Sequence, residues 1–103
     1  ASKEVISHAV RLVAATRPSQ EEHQKPKSVG QYVSWGAGPR ASQYLVLAGK
    51  VRAVMDGRSC VSREDIRAVA DPVLRHRIIL NFRAEADRVD VHQIINDVLH
   101  EVG

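Results

Sequence analysis

The sequence predicts an all-α protein, a small four-helix bundle forming one domain over residues 1–103, with a short extended segment near residues 78–82. Three observations carry this. Apolar residues recur at helical spacing in four separate stretches, each bounded by a capping or breaking residue. Strands and helices do not alternate in the βαβ manner. With 103 residues and 44% hydrophobic content, the chain suits a single modest core.

Ser2 can cap a first helix in which Val5, Ile6, Ala9, Val10 and Val13 form the apolar face. His8 then falls on the polar face as a solvated side chain. Pro18 closes this helix, because proline disfavours helical geometry at the preceding residue, Arg17. Residues 18–28 are polar throughout apart from two prolines and read as an exposed mobile loop. Val29, Tyr32 and Val33 share a face on a short helical segment ending near Trp35. A long helix from Pro39 to about Asp56 carries Ala41, Tyr44, Leu45, Ala48, Val51 and Met55 as its core stripe. Gly49 marks a close crossing by another helix, and Gly57 ends the element.

Ser62-Arg63-Glu64-Asp65 is a capping signal for a third helix, which Pro72 interrupts. Ile78-Ile79-Leu80-Asn81-Phe82 is too short to assign by period and fits either a strand or a buried tie. Asp90 and Gln93 cap the last helix, in which Val91, Ile94, Ile95, Val98, Leu99 and Val102 repeat to the end.

The stretch Trp35-Gly36-Ala37-Gly38-Pro39-Arg40-Ala41 stands out. Gly36 and Gly38 permit close approaches and conformations denied to other residues, and Pro39 suits the first position of a helix. Arg40 breaks a local rule, since a cation in the first turn opposes the helix macrodipole by roughly 0.3–1 kcal/mol. It lies on the row continued by Tyr44, Leu47 and Val51, which directs its guanidinium to a packed surface or a cleft mouth. Broken local rules mark candidate functional positions.

Composition narrows the functional classes. One cysteine, Cys60, excludes an internal disulfide and fits a reducing compartment, with the thiol buried and inert. No apolar run reaches the roughly 20 residues of a membrane span, which points to a cytoplasmic protein without membrane contact. The opening at Ala1, running at once into a helical pattern, reads as a piece of a longer protein. Net charge is +3 with only four aromatic residues, and the scattered basic residues make nucleic acid the lesser reading.

The chain lacks a Gly-x-x-x-x-Gly-Lys-Ser/Thr phosphate loop and an acidic strand end to hold magnesium, so it is not a complete nucleotide hydrolase. No Gly-x-Ser-x-Gly or histidine-paired nucleophile occurs, leaving no complete catalytic set. The pairs Glu21-Glu22, Glu64-Asp65 and Glu85/Asp87 read as solvated charges. Arg75, His76 and Arg77, with Arg83 and Arg88 beyond, form the main basic cluster. It suits either the C-terminal end of the third helix or an anionic partner.

Taken in order, Trp35–Ala41, Asp56-Gly57-Arg58, Val61–Ile66 and Val73–Phe82, with Ala14–Pro18 before them, resemble the C-terminal lid of the MoxR-type AAA+ ATPases. The resemblance covers nearly the whole chain, although the family pattern more often has serine or another small residue where this chain has Gly38. It implies a lid-type helical bundle following a nucleotide-binding domain of the same chain, in a homo-oligomeric, chaperone-like ring. ATP and Mg2+ would be the cofactors of the parent protein, and neighbouring subunits and von Willebrand factor A-type proteins its partners. Arg40 stands where the family carries its sensor-2 arginine, supported by Gly36, Gly38 and Pro39. Arg75, His76 and Arg77 become candidates for an interface or a secondary anion contact. The fragment alone would not hydrolyse ATP. The rival expectation is a small basic helical module that docks on nucleic acid or an acidic protein surface.

Overall fold

The apolar periodicities and caps resolve into eight elements in a computed structural model that describes residues 2–18 and 25–103. In chain order these are α1 (Lys3–Ala15), α2 (Lys27–Tyr32), β1 (Val33–Trp35), α3 (Ala41–Met55), α4 (Arg63–Leu74), β2 (Ile79–Leu80), α5 (Phe82–Ala86) and α6 (Val91–Val102). The four long helices are those the sequence predicts. The short helical segment expected around Val29 is α2, but it stops at Tyr32 and Val33–Trp35 is strand rather than helix; with the further short helix α5 the bundle has six helices among the described residues. Of the segment expected as loop, residues 19–24 lie outside the described residues. Lys27 and Ser28 belong to α2, and the Lys25 ammonium donates to the Pro18 carbonyl at 2.7 Å.

Capping residues act where the sequence places them. Ser2 accepts from the Val5 amide at the start of α1, and Ser62 with Asp65 and Asp90 with Gln93 form reciprocal capping boxes on α4 and α6. Asn81 caps α5 through the Ala84 amide at 3.0 Å, a signal that the apolar run before it concealed. Pro72 does not interrupt α4, which continues to Leu74. The proline leaves the Ala68 carbonyl without its intrahelical donor. Ala68 is exposed, so water can serve that carbonyl.

Burial corrects the expected faces of two helices. In α1 the inward face is Val5, His8, Ala9, Leu12, Val13 and Ala15, while Ile6 and Val10 are about half exposed. In α3 it is Ala41, Leu45, Gly49 and Ala53, and Tyr44, Val51 and Met55 point outward. The reason lies at Gly49, where a Cβ would come within 2.9 Å of Val61 Cγ2 and 3.0 Å of Ile66 Cδ1. The small residues let α4 approach closely, which turns the bulkier apolar row of α3 away from the core. Leu12, Leu45, Ile66, Leu74, Ile94 and Ile95 are the largest apolar side chains fully enclosed between the helices.

Strands β1 and β2 pair antiparallel, Val33 with Leu80 and Trp35 with Ile79, with an irregularity between. The Asn81 amide and side chain bond the Tyr32 and Gln31 carbonyls, both at 2.9 Å, extending the tie beyond the strands. Of the Ile78–Phe82 run only Ile78 is buried, whereas Phe82 is 90% exposed.

His8 is not solvated: it is fully enclosed, Nδ1 lies 3.4 Å from an Arg63 guanidinium nitrogen, and Nε2 has no partner. Burial, reinforced by Arg63, Arg11 and Arg67, lowers its pKa from 6.5 to about 4. Between those values the unfolded chain binds more protons than the folded one, so stability falls as the pH drops from 6.5 to 4. Urea midpoints followed by circular dichroism are expected to decline across that window. His8→Leu should flatten the decline, and an unchanged slope in the variant would contradict the assignment.

Candidate functional site

The turn from Gly36 to Arg40 is bolted to the end of α1. Thr16, fully buried, donates its hydroxyl to the Val13 carbonyl at 2.7 Å and accepts the Ala37 amide at 2.9 Å. Arg17 Nε donates to the Ala37 carbonyl at 3.0 Å. Ala37 is therefore held through both backbone polar groups, and its methyl is buried. A Cβ on Gly36 would collide with the Thr16 carbonyl oxygen and lie 2.6 Å from its carbon and 2.8 Å from Arg17 Cα. Gly36 is thus required by a close approach. Gly38 is not: neither glycine takes a positive φ, and the space beside Gly38 is open.

Pro39 and Arg40 form a turn before α3, which begins at Ala41, two residues later than expected. The amides of Ala41, Ser42 and Gln43 bond the carbonyls of Gly38, Pro39 and Arg40 at 3.0, 3.4 and 3.0 Å. The Ser42 hydroxyl donates to the Pro39 carbonyl at 2.9 Å. These amides are used by the turn itself, so the Arg40 side chain is the principal cationic group offered there.

Arg40 is exposed, and no hydrogen bond or ion pair holds its guanidinium among the described residues. Of the two surroundings expected for it, a packed surface or a cleft mouth, no packed surface of the described residues encloses it. The row that continues from it, Tyr44, Leu47, Val51 and Met55, is 43%, 60%, 52% and 83% exposed. A rigid backbone therefore presents an uncommitted cation at the head of an uncovered apolar stripe.

Arg75, His76 and Arg77 follow α4 and are all exposed. Arg75 approaches Asp71 at 3.8 Å, and the Arg77 guanidinium stacks 4.6 Å from the Tyr44 ring centroid. Arg77 thereby meets α3 one turn beyond Arg40, a proximity the separate sequence motifs did not reveal. Asp71 also bonds His92 Nδ1 at 2.6 Å.

Asp65, read as a solvated capping charge, is fully buried. Arg58 holds both its oxygens, Arg52 bonds Oδ1 at 2.6 Å, and the Ser62 amide bonds Oδ2 at 2.8 Å. The Arg58 hydrogen bonds, followed by the Ser62 amide, hold its pKa well below the ordinary carboxylate range. This carboxylate fastens the end of α3 to the start of α4 and has no free lone pair for chemistry. Cys60 is exposed rather than buried. No group of three or more His, Cys, Asp or Glu among the described residues is placed to hold a metal ion. No helix among them is long and apolar enough to cross a membrane.

Comparison with known proteins matches this arrangement. A family model described as the AAA lid domain fits residues 26–98. The chain is 37% identical over 99 residues to Chaperone MoxR1 of Mycobacterium tuberculosis, which covers 96% of this chain and 26% of that protein. It is 39% identical over 75 residues to Protein MoxR of Methylorubrum extorquens, covering 73% and 21% respectively. A crystal structure from Cytophaga hutchinsonii, described as a "putative ATPase", superposes with a TM-score of 0.87 at 36% identity over 99% of this chain and 30% of that one. The chain spans about a quarter of the length of these curated relatives.

Proposed function

The chain belongs to the AAA lid domain family, as a lid of the MoxR type, and from that premise we propose that it is the nucleotide-responsive lid of a longer cytoplasmic ATPase. Arg40 is its phosphate-sensing residue. ATP and Mg2+ are held chiefly by the nucleotide-binding domain of the same polypeptide, and the fragment alone performs no hydrolysis. Bound ATP supplies a γ-phosphate whose charge changes on hydrolysis. Arg40 meets that charge with a fixed planar fork, and the clamp at Ala37 passes its displacement to α1 as a unit. The apolar row beginning at Tyr44 packs against the domain that holds the nucleotide. Von Willebrand factor A-type proteins remain the partner class of a chaperone-like ring.

The observation that carries this reading is the unclaimed Arg40 guanidinium on a backbone fixed through Thr16, Arg17 and Ala37. In the full-length protein, Arg40→Ala is expected to lower ATP turnover by about 10²-fold. Its unfolding midpoint should stay unchanged, because the side chain contributes no packing. Steady-state phosphate release and thermal unfolding measure the two. Wild-type turnover in the variant would remove Arg40 from this role.

A further inference from the structure

Arg77 shares with Arg40 the lack of an acceptor. It is exposed, and no hydrogen bond or ion pair among the described residues claims its guanidinium. Its neighbours in the basic cluster differ, since Arg75 has Asp71 at 3.8 Å and Arg83 has Asp87 at 3.9 Å. The groove beside Arg77 along α3 is lined by Leu47, Ala48, Val51, Pro72 and Val73, whose side chains are all apolar. What holds Arg77 is the Tyr44 ring, with 4.6 Å from its centroid to the guanidinium carbon. Stacking occupies the face of the guanidinium and leaves its N–H groups, which lie in the plane, open to an anion. The backbone beneath is fixed as well: the Arg77 amide donates to the Leu74 carbonyl at 2.9 Å, and Leu74 and Ile78 are buried.

Tyr44 brings this second cation toward the first. Arg40 already has helical backbone angles, φ −66° and ψ −19°, and its carbonyl accepts the Tyr44 amide at 3.3 Å. The two side chains therefore stand one turn apart on the same face. Long side chains on a helix lean toward its N-terminus, which carries the Tyr44 ring toward the turn of Arg40. Two arginines from different elements are thus gathered at one end of α3, and neither has a carboxylate partner among the described residues. Like charges gathered in this way repel. An anion shared between them removes the repulsion and takes charge-assisted hydrogen bonds from both.

We infer that Arg77 is a second phosphate-contacting residue of the lid, held in place by the Tyr44 ring, and that it grips the terminal phosphate of ATP together with Arg40. Tyr44 touches no phosphate and is a positioning residue that acts through Arg77. The inference rests on the proposal that the head of α3 faces bound ATP.

The test uses the full-length protein, with titration calorimetry of the non-hydrolysable analogue adenylyl imidodiphosphate and of ADP. Arg77→Ala is expected to weaken binding of the analogue by about 10-fold or more and of ADP by less than about 2-fold. Its unfolding midpoint should stay near the wild-type value, since the side chain is exposed. Arg77→Lys should fall between the two, because it keeps the charge and loses the fork. Tyr44→Phe should bind as wild type, whereas Tyr44→Leu should weaken analogue binding by about 3-fold. In the Arg77→Ala background Tyr44→Leu should cause no further loss, because the ring then has nothing to position. Wild-type analogue affinity in Arg77→Ala, equal losses for analogue and ADP, or an undiminished effect of Tyr44→Leu without Arg77 would each overturn the inference. Arg40→Ala tells the two failures apart. If it loses turnover while Arg77→Ala binds as wild type, only the second contact fails; if both variants match wild type, the phosphate-facing reading of α3 fails with it.

Discussion

Asp65→Asn is expected to lower the unfolding midpoint of this domain by about 10 °C or more. The amide is nearly the size of the carboxylate, so packing survives, but the charge that Arg52 and Arg58 converge on is lost. Two guanidiniums are then directed at a neutral group inside the protein, and one amide nitrogen faces donors rather than acceptors. Because Asp65 also accepts from the Ser62 amide and hydroxyl, the cap of α4 weakens at the same time.

The pH dependence gives a second check. The folded-state pKa of Asp65 lies below its unfolded value of 3.8, so its stabilisation is complete above that value and is lost as the pH falls below it. This window sits beneath the one set by His8. Wild-type protein should lose stability in two stages on acidification, and Asp65→Asn should lack the lower one. Circular dichroism melts between pH 7 and pH 2.5 report both, and a melting temperature within a few degrees of wild type at pH 7 would contradict the role assigned to the carboxylate.

Sequence patterns exposed the four long helices because each combines a cap with a sustained apolar repeat. They misplaced the inward face of α1 and α3 because hydrophobicity alone does not say which of two adjacent apolar rows is covered. Leu12 in line with Val5 and Ala9 carried the correct face of α1, and with it the burial of His8. In α3 the inward places of Ala41 and Leu45 and the close crossing at Gly49 were legible, but Tyr44, Val51 and Met55 were counted inward and Ala53 was missed, because the repeat does not say that α4 lies on the Gly49 side. Arg40 stood out by opposing the helix dipole. Its support from Thr16 and Arg17 could not be read, since it joins two side chains to the backbone of Ala37, 20 and 21 residues further along the chain. Asp65 looked like an ordinary cap because the two arginines that surround it come from α3 and from the connection after Gly57.

Gly36→Ala should show how much of the proposed site depends on that hidden support. The added methyl meets the Thr16 carbonyl and Arg17 Cα, which are backbone atoms of the end of α1 and cannot rotate aside as a flexible side chain would. Either the turn moves outward or α1 gives way. In both cases the hydrogen bond from the Ala37 amide to Thr16 and that from Arg17 to the Ala37 carbonyl stretch, and a destabilisation of about 2–3 kcal/mol is expected. The same movement displaces Pro39 and Arg40, so ATP turnover of the full-length protein should fall although the arginine is intact. A double-mutant cycle separates this from general damage. If the clamp serves turnover only by placing Arg40, then Gly36→Ala should reduce turnover strongly in the wild-type background and little further in Arg40→Ala, measured well below both unfolding midpoints. Equal losses in the two backgrounds would mean that the turn supports catalysis by a route other than this side chain.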